Sequence, residues 1–280
     1  MKSRIYNLFS KSFPEFSISE DVFFRLLDFD NCTVIPCYDE GILAGCSVVQ
    51  GNCIRLLCVS PDHRRTGIGT SLLCDSEKLI AEKGFKQAIL GGRDSGLFIG
   101  ETVPMKQPED SKTFWERKGY AFDDGCIEMK MPLAEFNFSG LNIPACPVET
   151  VFGYIEKNER NDLLSAVSEV DSDWVQYFTP ESPVFAARLN GKIAGFCMID
   201  ENADTIISNG SNNVCSIGCV GVIPEMRKNG IGLSMVAKAA HIAKCDGCTD
   251  AFIHYTYLDK WYGRLGFKTF LRYRFSEKKL

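Results

Sequence analysis

Apolar residues recur along the chain with two different periods. Val184–Leu189 and Ile193–Ile199 are short, nearly continuous apolar blocks. Asn190-Gly191 between them predicts a tight hairpin, because both turn positions need a positive φ that Asn and Gly adopt at little cost. A third strand is expected over 216–222. From Gly230 to Ala243 the apolar positions Ile231, Met235, Val236, Ala239 and Ile242 follow the period of an amphipathic helix, ended by Asp246-Gly247. A short buried strand at 251–255, a short helix at 259–265 and a last strand from Lys268 complete the series. Meander, helix, strand, helix, strand describes an α/β (α+β) layer fold.

The pattern occurs twice. Gly41-Ile42-Leu43-Ala44-Gly45 is echoed by Gly191-Lys192-Ile193-Ala194-Gly195, Val59-Ser60-Pro61-Asp62-His63-Arg64-Arg65-Thr66-Gly67-Ile68-Gly69 by Val222-Ile223-Pro224-Glu225-Met226-Arg227-Lys228-Asn229-Gly230-Ile231-Gly232, and Phe114–Tyr120 by Trp261–Phe267. Three matches in one order indicate a duplicated domain, expected at 1–135 and 146–280, with Ala134–Pro147 as linker. The offset between copies changes from 150 to 163 and then to 147. The first change places a polar hairpin tip at Asn202–Asn213 in the second copy, and the second places a long loop at Gly91–Lys112 in the first.

Composition narrows the function. The 31 Lys and Arg against 36 Asp and Glu leave a net charge of −5, the wrong sign for holding nucleic acid by its phosphates. Neither a secretory signal nor a membrane span is expected, since no apolar run follows Met1–Asn7, and the chain reads as cytoplasmic. The 13 cysteines are odd in number and irregularly spaced, so reduced thiols are expected rather than a disulfide framework. Cys245 and Cys248 have no second pair and only three histidines to complete a site, so no metal is expected.

The chemistry concentrates where strand meets helix. Arg-x-x-Gly-x-Gly at 64–69 and 227–232 places glycines ahead of a helix N-terminus, where backbone N–H groups and the helix dipole favour an anion such as a pyrophosphate. One such hexapeptide also serves plain turns; its recurrence in the same context favours binding. No Gly-Lys-Ser/Thr follows, so this is no Walker loop, and a Rossmann fingerprint is disfavoured by arginine at the first glycine. Val-x-Pro-x-x-Arg-x-x-Gly-x-Gly, followed by Tyr-x-x-x-Gly-Phe at 262–267, resembles the GNAT acetyltransferases, and tandem GNAT proteins in particular.

That resemblance implies two GNAT domains, each a mixed, mostly antiparallel twisted sheet flanked by helices, and acetyl-CoA as co-substrate. It implies that Val220 and Val222 hold the pantetheine arm and Arg227, Lys228, Asn229, Gly230, Ile231 and Gly232 the pyrophosphate. In the first copy Leu57, Val59, Arg64, Arg65, Thr66, Gly67, Ile68 and Gly69 correspond. Tyr262 stands at the family's general-acid position, where the first copy has Trp115, which cannot protonate a thiolate. Catalysis is therefore expected in the second copy. No acidic residue occupies 215–222; His254 and Asp259 are the nearest base candidates, each with a structural alternative as packed strand histidine and helix cap. Asp173, Trp174 and Asp259 are the candidate acceptor contacts. The expected reaction is acetyl transfer to a primary amine, with glucosamine or a glucosaminide suggested by the resemblance. The alternatives are a peptide, polyamine or antibiotic amine as acceptor, or an acyl-CoA-binding scaffold without turnover.

Overall fold

The computed structural model describes residues 1–92, 96–103 and 109–280, with backbone alone for 109–111. In chain order the elements are α1 (Lys2–Ser12), α2 (Glu20–Leu27), β1 (Thr33–Asp39), β2 (Ile42–Gln50), β3 (Cys53–Val59), α3 (Ile68–Glu82), β4 (Gln87–Leu90), β5 (Glu101–Val103), α4 (Glu109–Glu116), β6 (Ala121–Asp123), β7 (Ile127–Pro132), β8 (Val151–Tyr154), α5 (Arg160–Val170), β9 (Val184–Leu189), β10 (Lys192–Asp200), β11 (Val214–Val222), α6 (Ile231–Cys245), β12 (Asp250–Thr256), α7 (Asp259–Gly263) and β13 (Lys268–Lys279). Of the expected loop at Gly91–Lys112, residues 93–95 and 104–108 lie outside the described residues, and the remainder is not all loop, since it includes β5 and the start of α4.

The chain divides into two compact units. The first holds Met1–Cys126, Asp204–Ser211 and Leu271–Leu280; the second holds Ile127–Ala203 and Asn212–Phe270. Strand membership departs here from contiguous domains at 1–135 and 146–280. In the first unit β1, β2 and β3 form an antiparallel meander and β3 runs parallel to β4. The strand that then pairs with β4, β5 and β6 is β13, from the far end of the chain. In the second unit β8, β9, β10 and β11 form the meander, β12 joins β11 in parallel, and β7 pairs antiparallel with β12. Each copy therefore lends its last strand to the other's sheet. Pairing in this way covers a row of backbone donors and acceptors that would otherwise form an open edge. The Lys278–Glu77 ion pair at 2.7 Å, largely shielded from water, and the Ser276 hydroxyl donating to the Ala121 carbonyl tie β13 into the first unit.

Each face of the second sheet is covered by a different layer. Met235, Val236, Ala239 and Ala240 of α6 bury against Cys197, Ile217, Ala251, Ile253, Met129 and Met131. On the opposite face Leu163 and Val167 of α5, with Phe178, pack on Ala186 and Phe196. Alternation along the strands sorts their side chains between the two faces. The turn between β9 and β10 is the expected one, with φ of 52° at Asn190 and 73° at Gly191. Asn202–Asn213 is not an exposed tip: Thr205, Ile206, Ile207 and Ser208 are buried, the Ser19 N–H donates to the Ser208 carbonyl, and Arg25 forks onto Asp204. Two isoleucines among polar residues carry no period, so their burial was invisible in the pattern. The linker also packs, with Phe138, Leu141, Ile143 and Cys146 against the α6 core.

The close approach of β13 gives a direct test. A Cβ at Gly125 would overlap the Tyr273 carbonyl, whereas one at Gly41, a hairpin-turn glycine, would meet nothing within 4 Å. Gly41→Ala pays only the left-handed φ of 81°, on the order of 1–2 kcal/mol. Gly125→Ala must displace β13 and should cost clearly more; equal urea midpoints for the two variants would contradict the strand placement.

Candidate active site

Two parallel strands that start paired and then part create the site. β11 and β12 are in register only from Val214–Ser216 against Asp250–Phe252. On its other side β11 bulges: Phe196 opposes Gly221 and Met198 opposes Gly218, so Cys219 and Val220 share one position opposite Cys197. Cys219 carries the bulge at φ 46°, a left-handed conformation costing on the order of 1–2 kcal/mol outside glycine. Tyr255 on β12 is likewise left-handed at φ 47°, beside a register shift against β7. The two strands therefore bend where they separate. In the first unit β3 and β4 also pair over two positions only, Cys53 with Ile89 and Ile54 with Leu90, and Arg55 forms the bulge.

Beyond each parting strand lies a glycine loop that enters a helix, and the two loops have the same backbone. Arg65 and Lys228 have φ of 65° and 66°, and Gly67 and Gly230 have φ of 96° and 73°. Left-handed residues alternating with ordinary ones turn successive N–H groups toward one point, an anion-binding nest at the positive end of α3 or α6. The preceding arginines brace this shape: Arg64 Nε donates to the Val59 carbonyl at 3.3 Å, and Arg227 Nε donates to the Val222 carbonyl at 3.0 Å. Thr66 is engaged within the loop, its hydroxyl donating to the His63 carbonyl. Ile231 is buried in the core, and the Ile68 side chain reaches the surroundings of Gly45, so these two offer a ligand only backbone. Lys228 and Asn229 are exposed, and Val220 and Val222 are half-buried against the α6 core.

The surroundings of the loops differ. In the first unit a cavity of about 970 Å³ is lined by Leu57, Val59, Arg64, Arg65, Gly67, Gly69, Trp115, Arg117 and Lys118, among others. Its size suits an extended ligand and its four cations suit an anionic one. In the second unit the linker seats behind the loop, with the Pro144 and Ala145 carbonyls 2.6 and 2.9 Å from where a Gly230 Cβ would stand. A side chain there would push the linker, so Gly230 is no clean probe of ligand binding.

Tyr262 on α7 is buried on the α6 face of the second sheet. Burial pushes its phenol upward, and the nearby Cys197 and Cys219 thiols push the same way, so it holds its proton at neutral pH. Cys219 itself is pushed up to about 11 by burial and by Asp171. Asp171 caps the 3₁₀ turn 172–177 by accepting from the Asp173 N–H. Trp174 lies half-buried on the α5 face, while Asp173 is exposed. Asp259 does not cap α7; its carboxylate accepts from the Lys260 N–H at 2.7 Å.

One contact near the parted strands escapes sequence reasoning. His254 Nδ1 lies 3.4 Å from Oε1 of Glu128, which is 3% exposed. Glu128 sits on β7, 126 residues earlier and in the other copy's stretch of sequence, so no spacing rule could join the two.

With this geometry in hand, the chain can be compared with known proteins. The model of the acetyltransferase (GNAT) family matches residues 2–95 and 153–267. No curated protein matches. Among solved structures, a GCN5-related glucosamine N-acetyltransferase region of a fungal multi-domain GH3 β-N-acetylglucosaminidase is similar at TM-score 0.79 and 20% identity, over 99% of this chain and 36% of that one. This chain thus spans about a third of the fungal protein. A GCN5-related N-acetyltransferase from Sphaerobacter thermophilus reaches 0.74 at 17% identity over 100% and 93% of the two chains. A tandem GNAT protein from the clavulanic acid biosynthesis pathway reaches 0.70 at 13% identity over 99% and 94%. At these identities the shared property is the fold.

The second glycine of each loop tests how tightly helix and loop are joined. A Cβ at Gly69 would make ordinary contacts, the nearest at 3.6 Å, whereas at Gly232 it would meet Trp261 at 3.1 Å and Val222 at 3.2 Å. Gly69→Ala should raise stability by about 0.4–1 kcal/mol through the unfolded chain. Gly232→Ala should lose that gain to displacement of Trp261. Denaturation midpoints that move equally upward would show that α7 is not packed on the loop as described.

Proposed function

The chain belongs to the GNAT acetyltransferase family, and from that premise we propose an acetyl-CoA-dependent N-acetyltransferase of the cytoplasm that acts on a small primary amine, with its reaction centre in the second unit. The observation that carries this assignment is Tyr262, buried beside the β11 bulge near Cys197 and Cys219. The nest at 227–230 and the half-buried Val220 and Val222 suit the pyrophosphate and pantetheine arm of acetyl-CoA, which supplies an activated acetyl thioester. Backbone N–H groups left unpaired where β11 leaves β12 are suited to a carbonyl oxygen that gains charge. Tyr262 is the proton donor for the departing thiolate.

The same loop in the first unit and its cavity with Arg64, Arg65, Arg117 and Lys118 support acetyl-CoA binding there too. Trp115 at the acid position argues that this second molecule is not turned over. No helix among the described residues is long and apolar enough to cross a membrane, and the negative net charge disfavours nucleic acid as partner. For the acceptor we favour an amino sugar, glucosamine or a glucosaminide. Asp171 and Trp174, on the face of the sheet opposite Tyr262, combine a carboxylate with an aromatic ring, a pair suited to a sugar ammonium. The fungal structural neighbour, named a glucosamine N-acetyltransferase region, points the same way.

Thiol release from acetyl-CoA with a panel of amino sugars, polyamines and peptides tests the acceptor. Amino sugars should react. Turnover confined to polyamines or peptides would remove the sugar assignment, and acetyl-CoA binding without release for any amine would favour a scaffold.

Tyr262→Phe keeps the ring and removes the donor, so kcat should fall by about 10²–10⁴ while acetyl-CoA KM changes little. Trp115→Phe should leave kcat nearly unchanged. The reverse pattern would move the reaction to the first unit.

A further inference from the structure

The two faces of the second sheet are chemically unlike at the point where β11 and β12 part. Ala251 and Ile253 of β12 and Ile127, Met129 and Met131 of β7 belong to the α6 core, on the side that holds Tyr262. By strand alternation Phe252 and His254, and Glu128 and Lys130, face the other way. That is the face where α5 and Cys219 lie. Phe252 opposes Ser216 in the last paired position, so His254 stands two residues further along, where the partner strand has turned away.

The His254–Glu128 pair has the marks of a proton acceptor. Glu128 Oε1 is 3.4 Å from His254 Nδ1, and the other oxygen, Oε2, is buried with no hydrogen-bond partner among the described residues. A carboxylate so deeply buried is costly unless a positive charge forms beside it. The contact assigns the histidine proton to Nδ1, which leaves the Nε2 lone pair free to accept; Nε2 makes no hydrogen bond to another described residue. The His254 side chain is 27% exposed, so it can be reached from solvent. Titratable or charged groups near it on this face are Tyr255, whose ring centroid is 5.1 Å away, Cys219 of β11, and Lys130 on β7, whose ammonium sits over the Phe270 ring.

We propose that His254 is the general base of the transfer, positioned by Glu128. This assignment rests on the acetyltransferase reading. The acceptor nitrogen bonds to the acetyl carbon and the carbon–sulfur bond breaks. The amine's surplus proton passes to His254 Nε2, and the thiolate takes the Tyr262 proton. Solvent then carries the proton from His254 back to Tyr262, so the balance is amine plus acetyl thioester to amide plus thiol. As the imidazolium forms, the buried Glu128 carboxylate gains its missing counter-charge. It therefore stabilises the charged state more than the resting one, the differential effect that lowers a barrier. Because β7 belongs to the first copy's sequence, that copy's lent strand completes the second copy's site.

The test uses the full chain and whichever amine reacts best. His254→Gln should lower kcat/KM for the amine by about 10²–10³ with acetyl-CoA KM within a few-fold. Free imidazole in the buffer should restore part of the activity of His254→Ala, which a packing role would not allow. Glu128→Gln should fold, lose less activity, and move the acidic limb of the kcat/KM profile to lower pH, since a neutral amide no longer favours the imidazolium. The amine's own titration is common to all variants and cancels. Activity of His254→Gln within threefold of the unsubstituted protein, or an acidic limb unmoved in Glu128→Gln, overturns the proposal while the acetyltransferase reading stands. An unsubstituted chain that releases no thiol with any amine overturns that reading, and this assignment falls with it.

Discussion

The early parting of β11 and β12 is the constraint on which the second unit's chemistry depends. Parallel strands satisfy one another's backbone groups, so separating them leaves N–H and C=O groups without partners. The bulge at Cys219 and the left-handed Tyr255 hold the strands in this arrangement, at a cost in backbone strain that the surrounding packing offsets. On the two faces of the sheet at this point stand α6 with Tyr262 and α5 with Cys219. A sheet paired along its whole length would not part here.

Duplication supplied two copies of the briefly paired parallel strands and the glycine loop beyond them, and let their surroundings diverge. Both loops keep the left-handed basic residue, the left-handed glycine and the arginine braced to the end of the strand. This agreement argues that the nest has been retained for its geometry, because Arg65 and Lys228 would relax to ordinary φ if only a turn were needed. The copies differ in what surrounds the nest. The first has an open, cation-lined cavity and Trp115; the second has a linker seated at its glycine, and Tyr262. Binding and proton transfer are separable demands, and the chain distributes them unequally.

Exchange of the terminal strands adds a dependence between the copies. β13 carries Lys278 and Arg274 into the first unit, where they pair with Glu77 and Glu101, and β7 carries Glu128 into the second. Each sheet is thus complete only when the whole chain has folded. A carboxylate buried next to His254 by a strand from elsewhere in the sequence is a tertiary feature in the strict sense.

Local sequence determined the layer fold, the duplication, the hairpin at Asn190-Gly191, both nests and the tyrosine of α7, because each rests on backbone preferences or periodicities spanning a few residues. A glycine immediately before a helix start means the same thing wherever the rest of the chain goes. The exchange of β7 and β13, the burial of 204–211, the packed linker behind Gly230 and the meeting of His254 with Glu128 were decided by tertiary structure alone. Edge strands carry no label for their partner: the backbone groups of β7 would pair as well within their own copy, and only the completed packing of both cores selects the exchange. The proposed base follows from that selection, since a histidine on a strand acquires a role only when something specific is buried against it.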